Sequence, residues 1–171
     1  SMIFPSNSII IPKNCNELHH EVELVVIIGK KAKNVSINDA CNYIKGYTLG
    51  LDMTARSLQN QAKKKGLPWS IAKGYDTFAP ISNEMIKPED INHKNTSIWL
   101  KVNNIIKQQG NTSHMMFPIP FLISYISSIF TLEENDCIYT GTPSGVGPVV
   151  SGDIITCGIN DSQLTMTFDK Q

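Results

Sequence analysis

Residues 20–28 read His-Glu-Val-Glu-Leu-Val-Val-Ile-Ile, a β-branched run that stops at Gly29. Such a run is a strand, and a strand turns successive side chains to opposite faces. His19, Glu21 and Glu23 therefore share one face, while Val22, Leu24 and Val26 point the other way and enter a core. Two carboxylates side by side repel, and a hard divalent cation offsets that repulsion best. For an E-x-E pair taken alone, a solvated strand face is the commoner outcome. The rest of the chain must decide between the two.

Elements elsewhere follow from breakers and caps. Residues 2–11, interrupted by Pro5 and bounded by Pro12, form a short strand and its connections. Ser36 with Asp39 in the next turn starts a short helix that runs to about Lys45 and stops at Gly46. Tyr47–Met53 is a strand, and Thr54 then caps a helix of about eleven residues that ends in Lys63-Lys64-Lys65 and Gly66. Residues 77–82 form a short strand. Residues 97–102 and 105–109 form a hairpin around Asn103-Asn104, because asparagine tolerates positive φ. Pro118–Phe130 is an apolar helix, and residues 137–140, 154–159 and 164–168 are strands. Strands outnumber helices and come in runs, so the fold class is α+β with much antiparallel pairing, in one domain over residues 1–171.

Bulk properties exclude several functions. Lys+Arg and Asp+Glu both number 15, a balance that offers no bulk attraction for nucleic acid or membrane. The lysine cluster at 63–65 reads as a solvated helix end. No apolar run approaches the roughly 20 residues of a membrane span. Cys15, Cys41, Cys137 and Cys157 form no C-x-x-C pair and read as buried thiols of a reducing compartment.

Three further features carry chemistry. Asp52, in Gly50-Leu51-Asp52-Met53-Thr54, lies where a strand feeds a helix; it is either a helix cap or a third ligand with Glu21 and Glu23. Three carboxylates without a sulfur ligand suit Mg²⁺ or Mn²⁺ over Zn²⁺. Lys73 has small or apolar neighbours and is either a surface lysine or a semi-buried cation that stabilises an enolate or carboxylate. Gly141-Thr142-Pro143-Ser144-Gly145-Val146-Gly147 lacks the G-K-[ST] of a nucleotide loop; it is a structural turn or an anion-binding turn. His93 and His114 read as structural, and no residue stands out as a triad nucleophile.

Taken in order, His19-His20-Glu21-Val22-Glu23-Leu24, Gly50-Leu51-Asp52-Met53-Thr54-Ala55-Arg56, Gly66-Leu67-Pro68-Trp69, Ala72-Lys73-Gly74-Tyr75-Asp76-Thr77 and the Gly141–Gly147 loop closely resemble the fumarylacetoacetate hydrolase family. Within it, they are most similar to the acylpyruvase and oxaloacetate decarboxylase group. The resemblance covers nearly the whole chain. It implies a β-rich mixed sandwich or roll with a few short helices, and a homodimer. It implies Mg²⁺, with Mn²⁺ as the alternative, on Glu21, Glu23 and Asp52, a catalytic Lys73, and substrate contacts from Gln59 and Thr142. The substrate would be a small β-dicarbonyl 2-oxo acid, cleaved at a C–C bond through a pyruvate enolate that the cation and Lys73 stabilise.

The pattern departs from the family at its start. Family members carry an upstream G-x-N-Y-x-x-H-x-x-E segment whose His and Glu form a lid and activate water, and this chain starts after it. Ser1-Met2 resembles a protease-cleavage scar, so a trimmed start is expected. His20 is a poor substitute, because it should point away from the glutamates. The expectation is slow acylpyruvate hydrolysis by this chain, since a general base contributes about 10²–10⁴-fold. Two other functions stay open: an enol–keto tautomerase on the same site, and a non-catalytic protein that binds metal and oxo acid.

Overall fold

The structure, a computed structural model, describes residues 1–170. Its strands, in chain order, are β1 (Met2–Ile3), β2 (Ile9–Ile11), β3 (Leu18–His20), β4 (Val22–Ile28), β5 (Ile44–Leu51), β6 (Thr54–Ala55), β7 (Ala79–Pro80), β8 (Ser97–Val102), β9 (Ile105–Asn111), β10 (Cys137–Tyr139), β11 (Gly147–Val149), β12 (Ile154–Ile159) and β13 (Ser162–Lys170). Three α-helices interrupt them: α1 (Arg56–Lys64), α2 (Ser70–Lys73) and α3 (Ile119–Ile129). The expected α+β class with few, short helices is what the chain forms.

The strands assort into small sheets with the orders β10-β4-β5, β11-β3-β6, β2-β13-β12-β8-β9 and the pair β1-β7. Pairing is antiparallel except for β1 with β7 and β13 with β2. Leu24, Val26 and Ile28 of β4, Leu49 and Leu51 of β5, and Ile155, Cys157, Leu164, Met166 and Phe168 of β12 and β13 are buried in one core. At about 25 cal/mol per Å² of apolar area removed from water, such side chains supply the main drive to fold.

Local chemistry explains the boundaries. Asn103 and Asn104 have φ of 49° and 66°, the doubly left-handed turn that matches strand twist, so the β8–β9 hairpin forms as expected. Helix α1 ends in a Schellman arrangement: Leu67 N–H donates to Ala62 O at 2.9 Å, Gly66 N–H donates to Lys63 O at 3.2 Å, and Gly66 takes φ +63°. Thr54 does not cap α1. It lies in β6, and its hydroxyl donates to Asp52 O at 3.0 Å. The helix expected from Ser36 to Lys45 is also absent. Ser36 and Asp39 close a turn on each other, a single 3₁₀ turn covers Ala40–Tyr43, and β5 begins at Ile44. The pull of β4, which pairs along the whole of β5, overrides weak local helix propensity.

Gly50 is held to its lack of a side chain by packing. An added Cβ would sit 2.7 Å from both Tyr139 Cε1 and Val25 Cγ2. We expect Gly50→Ala to destabilise the protein by about 1–3 kcal/mol, the usual cost of overpacking. A urea melt against the parent chain measures it.

Candidate active site

The acidic cluster is a product of register. β4 and β5 pair Val22 with Leu51 and Glu23 with Gly50. One more step of the same register sets Glu21 across from Asp52, and the bond from Asp52 N–H to Glu21 O at 2.8 Å fixes that corner. At this corner the chain passes from β3 to β4 at Glu21 and from β5 to β6 at Asp52. Alternation places Glu21 and Glu23 on one face, and the cross-strand partner brings Asp52 to it. Ligand atoms of Glu21, Glu23 and Asp52 all lie within 4.8 Å of one another.

This face is not solvated. Glu21 is 7% and Glu23 3% exposed, so the commoner fate of an E-x-E pair is ruled out here. Buried carboxylates need countercharge. Lys73, the last residue of α2, donates from Nζ to Glu21 Oε2 at 2.9 Å and to Asp52 Oδ2. Gly74 closes α2 directly behind it, where an added Cβ would meet Ser70 O at 2.6 Å. Arg56, the first residue of α1, donates to Glu21 Oε1 and to Gln59 Oε1, each at 2.5 Å, and to His19 Nδ1 at 3.2 Å. Since arginine only donates, His19 Nδ1 accepts and its Nε2–H faces Glu17 Oε1 at 2.9 Å.

Among the described residues, no cation bonds Glu23. Its Oε2 accepts the backbone N–H of Gly141 at 2.7 Å. Burial first, then the Asp52 charge, push its pKa from 4.5 up to about 8. Asp52 is also raised, by burial, with the Lys73 hydrogen bond opposing. Three carboxylates face two fixed cations, so the cluster has capacity for further positive charge. The donors are all hard oxygens, and oxygens on an octahedral Mg²⁺ or Mn²⁺ lie about 3–4 Å apart, so small shifts close the set on one ion. The residues therefore fit a divalent cation, held by Glu21, Glu23 and Asp52.

The Gly141–Gly147 loop joins this site from the far side of β4. Thr142 Oγ1 donates to Val22 O at 2.9 Å and accepts from Gln108 Nε2 at 2.8 Å. Its backbone N–H meets no protein acceptor among the described residues. Thus all six residues singled out in the sequence, Glu21, Glu23, Asp52, Gln59, Lys73 and Thr142, gather around one corner. His20 does turn away from the glutamates, with Nδ1 on Gln108 Oε1 at 2.8 Å. Sequence reasoning gave no role to Arg56, although its being the sole arginine was a usable signal. It gave none to Gln108 either, and nothing in Lys107-Gln108-Gln109 marks the middle residue.

With this geometry in hand, the comparisons with known proteins are specific. The family described as fumarylacetoacetate (FAA) hydrolase C-terminal matches residues 1–168. The chain is 52% identical over 159 residues to a mitochondrial oxaloacetate decarboxylase of Dictyostelium discoideum, covering 93% of this chain and 73% of that protein. It is 54% identical over 149 residues to the mitochondrial oxaloacetate tautomerase FAHD1 of Arabidopsis thaliana, covering 87% and 67%. Fumarylpyruvate hydrolase from Pseudomonas aeruginosa, solved in complex with Mn²⁺ and pyruvate, superposes with a TM-score of 0.92 at 29% identity, covering 100% of this chain and 75% of that one.

The buried Glu23 gives a pH dependence of defined sign. Its folded pKa lies above its unfolded one, so between about pH 4.5 and 8 the folded state holds a proton that the unfolded state has lost. Stability of the chelator-treated protein should therefore fall with rising pH in that window, by up to about 1.4 kcal/mol per pH unit from this group. Glu23→Gln should flatten the slope, and the gain in melting temperature on adding Mg²⁺ should grow with pH in the wild type. Differential scanning fluorimetry of both proteins from pH 5 to 8 checks it.

Proposed function

The chain belongs to the fumarylacetoacetate hydrolase family of enzymes, and we propose that it is a divalent-metal-dependent enzyme that breaks a C–C bond in small β-dicarbonyl 2-oxo acids, with oxaloacetate and acylpyruvates as the substrate class. The observation that carries this reading is the buried set of Glu21, Glu23 and Asp52 with the Lys73 ammonium bonded to two of its members. Mg²⁺ is the proposed ion and Mn²⁺ the alternative. Bound there, the cation supplies Lewis-acid polarisation of the 2-oxo carbonyl.

The chain's own residues do the rest. In oxaloacetate decarboxylation the C3 carboxylate leaves as CO₂, and the bonding pair moves toward the 2-oxo oxygen. A proton then returns to C3 to give pyruvate. Lys73 is the cation this chain brings against that developing charge. Arg56 holds Glu21 from the opposite side to Lys73 and orients Gln59, which we assign as a substrate contact. Thr142 is the second contact, with a backbone N–H that has no protein acceptor among the described residues and suits a carboxylate oxygen.

A second reading has a specific observation behind it. Relatives at 54% and 48% identity carry the name oxaloacetate tautomerase. Enol–keto exchange needs the same electron sink but moves only a proton between C3 and the 2-oxo oxygen. We place the protein in a mitochondrial or cytosolic compartment and in a homodimer. Support for the dimer comes from the exposed Met116, Phe117, Tyr125, Ile129 and Phe130 along and beside α3.

We expect oxaloacetate with Mg²⁺ or Mn²⁺ to yield pyruvate in a ¹H NMR time course, whereas loss of the enol signal without pyruvate assigns tautomerisation. Lys73→Ala should lower kcat/KM by about 10²-fold or more. Asp52→Ala should abolish Mg²⁺ binding by calorimetry. Wild-type protein inert in both assays would refute the enzyme reading. Sedimentation should give the mass of two chains.

A further inference from the structure

β9 is unusual in what it buries. Ile105 and Ile106 are exposed, while Gln108 is 1% exposed. A β-bulge causes this. Lys101 pairs with Ile106 but Leu100 pairs with Gln108, which leaves Lys107 as an extra residue. Without that insertion the lysine would stand opposite the buried Leu100. Bulges re-aim side chains in this way beside functional sites.

The re-aimed amide has every hydrogen-bonding position in use. Gln108 Oε1 accepts from Val22 N–H at 3.1 Å and from His20 Nδ1 at 2.8 Å. Nε2 donates to Thr142 Oγ1 at 2.8 Å and to Pro143 O at 2.9 Å. One end thus grips the backbone between Glu21 and Glu23, and the other grips the loop that carries Thr142. The loop rests on β9 at two further points. An added Cβ on Gly110 would sit 2.5 Å from Pro143 Cβ, and one on Gly145 would overlap Lys107 O. Residues 140–144 also line a cavity of about 460 Å³, together with Met115, Phe117 and Leu122.

We propose that Gln108 is a positioning residue that, with the bulged segment 107–110, sets the Gly141–Pro143 turn against the metal strand and thereby fixes the anion contact of Thr142. The inference rests on the 2-oxo acid reading above. It gives the bulge a purpose: a lysine opposite Leu100 could neither accept from Val22 N–H nor be buried at low cost.

Two variants approach the loop independently. Gln108→Met keeps the length and removes both grips. Gly110→Ala leaves Gln108 in place and pushes on Pro143. Calorimetry with Mg²⁺ alone, and then with oxalate as the 2-oxo acid probe, reads metal and anion binding separately. We expect oxalate affinity to fall about 10-fold in each variant while Mg²⁺ affinity stays within about threefold. In turnover assays KM for oxaloacetate should rise more than kcat falls. Should Gln108→Met fail to fold, Gly110→Ala decides alone. Unchanged oxalate affinity overturns the proposal, as does a parallel loss of Mg²⁺ affinity, which would make Gln108 a support of the metal strand only. Wild-type protein without Mg²⁺-dependent oxalate binding would instead overturn the functional reading beneath it.

Discussion

Three carboxylates brought together by one antiparallel register are the constraint on which the rest of this structure depends. Glu21, Glu23 and Asp52 cannot separate without breaking the β4–β5 ladder that also holds Leu24, Val26, Leu49 and Leu51 in the core. The core therefore holds the charges together, and the charges dictate what surrounds them. Lys73 and Arg56 finish and start the short helices α2 and α1, which bring one cation each to the cluster, and α1 adds the buried Gln59. An apolar substitute for the cluster would cost less to bury, since a buried ion pair rarely repays its full desolvation. That the chain keeps it argues for chemistry and against a purely structural role.

Neutralisation around the cluster is uneven. Glu21 carries two cations and Asp52 one, while Glu23 has a backbone N–H alone. That N–H belongs to Gly141, in the same turn that presents Thr142. The loop is thus tied to the metal strand twice, at Glu23 by Gly141 and at Val22 through Thr142 and Gln108. Glu23 itself is held by the β4–β5 ladder, so its place does not depend on the loop.

How much of this was legible in the sequence differs by kind of feature. Alternation placed Glu21 and Glu23 on one face, and turn chemistry at Asn103-Asn104 placed a hairpin, because both depend on neighbours along the chain. The six candidate side chains could be singled out because their motifs, taken in order, resemble a family; no periodicity alone set Glu21 opposite Asp52. Long-range register is where single-sequence reasoning stops, since at this corner it is decided by partners 27 residues apart at Glu23–Gly50 and 29 apart at Val22–Leu51. The bulge at Lys107 is the sharper case. Lys107-Gln108-Gln109 reads as a polar, exposed end of a strand, and only the pairing with β8 shows that the middle residue is buried. The helix expected at Ser36–Lys45 failed for the same reason, because strand pairing outbid a weak cap.

The two activities named among close relatives are not in conflict at the level of this site. Decarboxylation and enol–keto exchange of oxaloacetate both pass electron density onto the 2-oxo oxygen, and both are served by a fixed cation beside it. What separates them is the fate of C3: whether its carboxylate is held so that the C–C bond can align with the carbonyl π system, or so that only a C–H bond can. The electron sink proposed at Glu21, Glu23, Asp52 and Lys73 is indifferent to that choice. Under the proposed function the choice belongs to whatever holds C3 and its carboxylate while the 2-oxo acid end is anchored. The loop that Gln108 seats, as proposed above, would act on that choice only through the anchored end, by setting how the carbonyl π system lies relative to the bonds of C3.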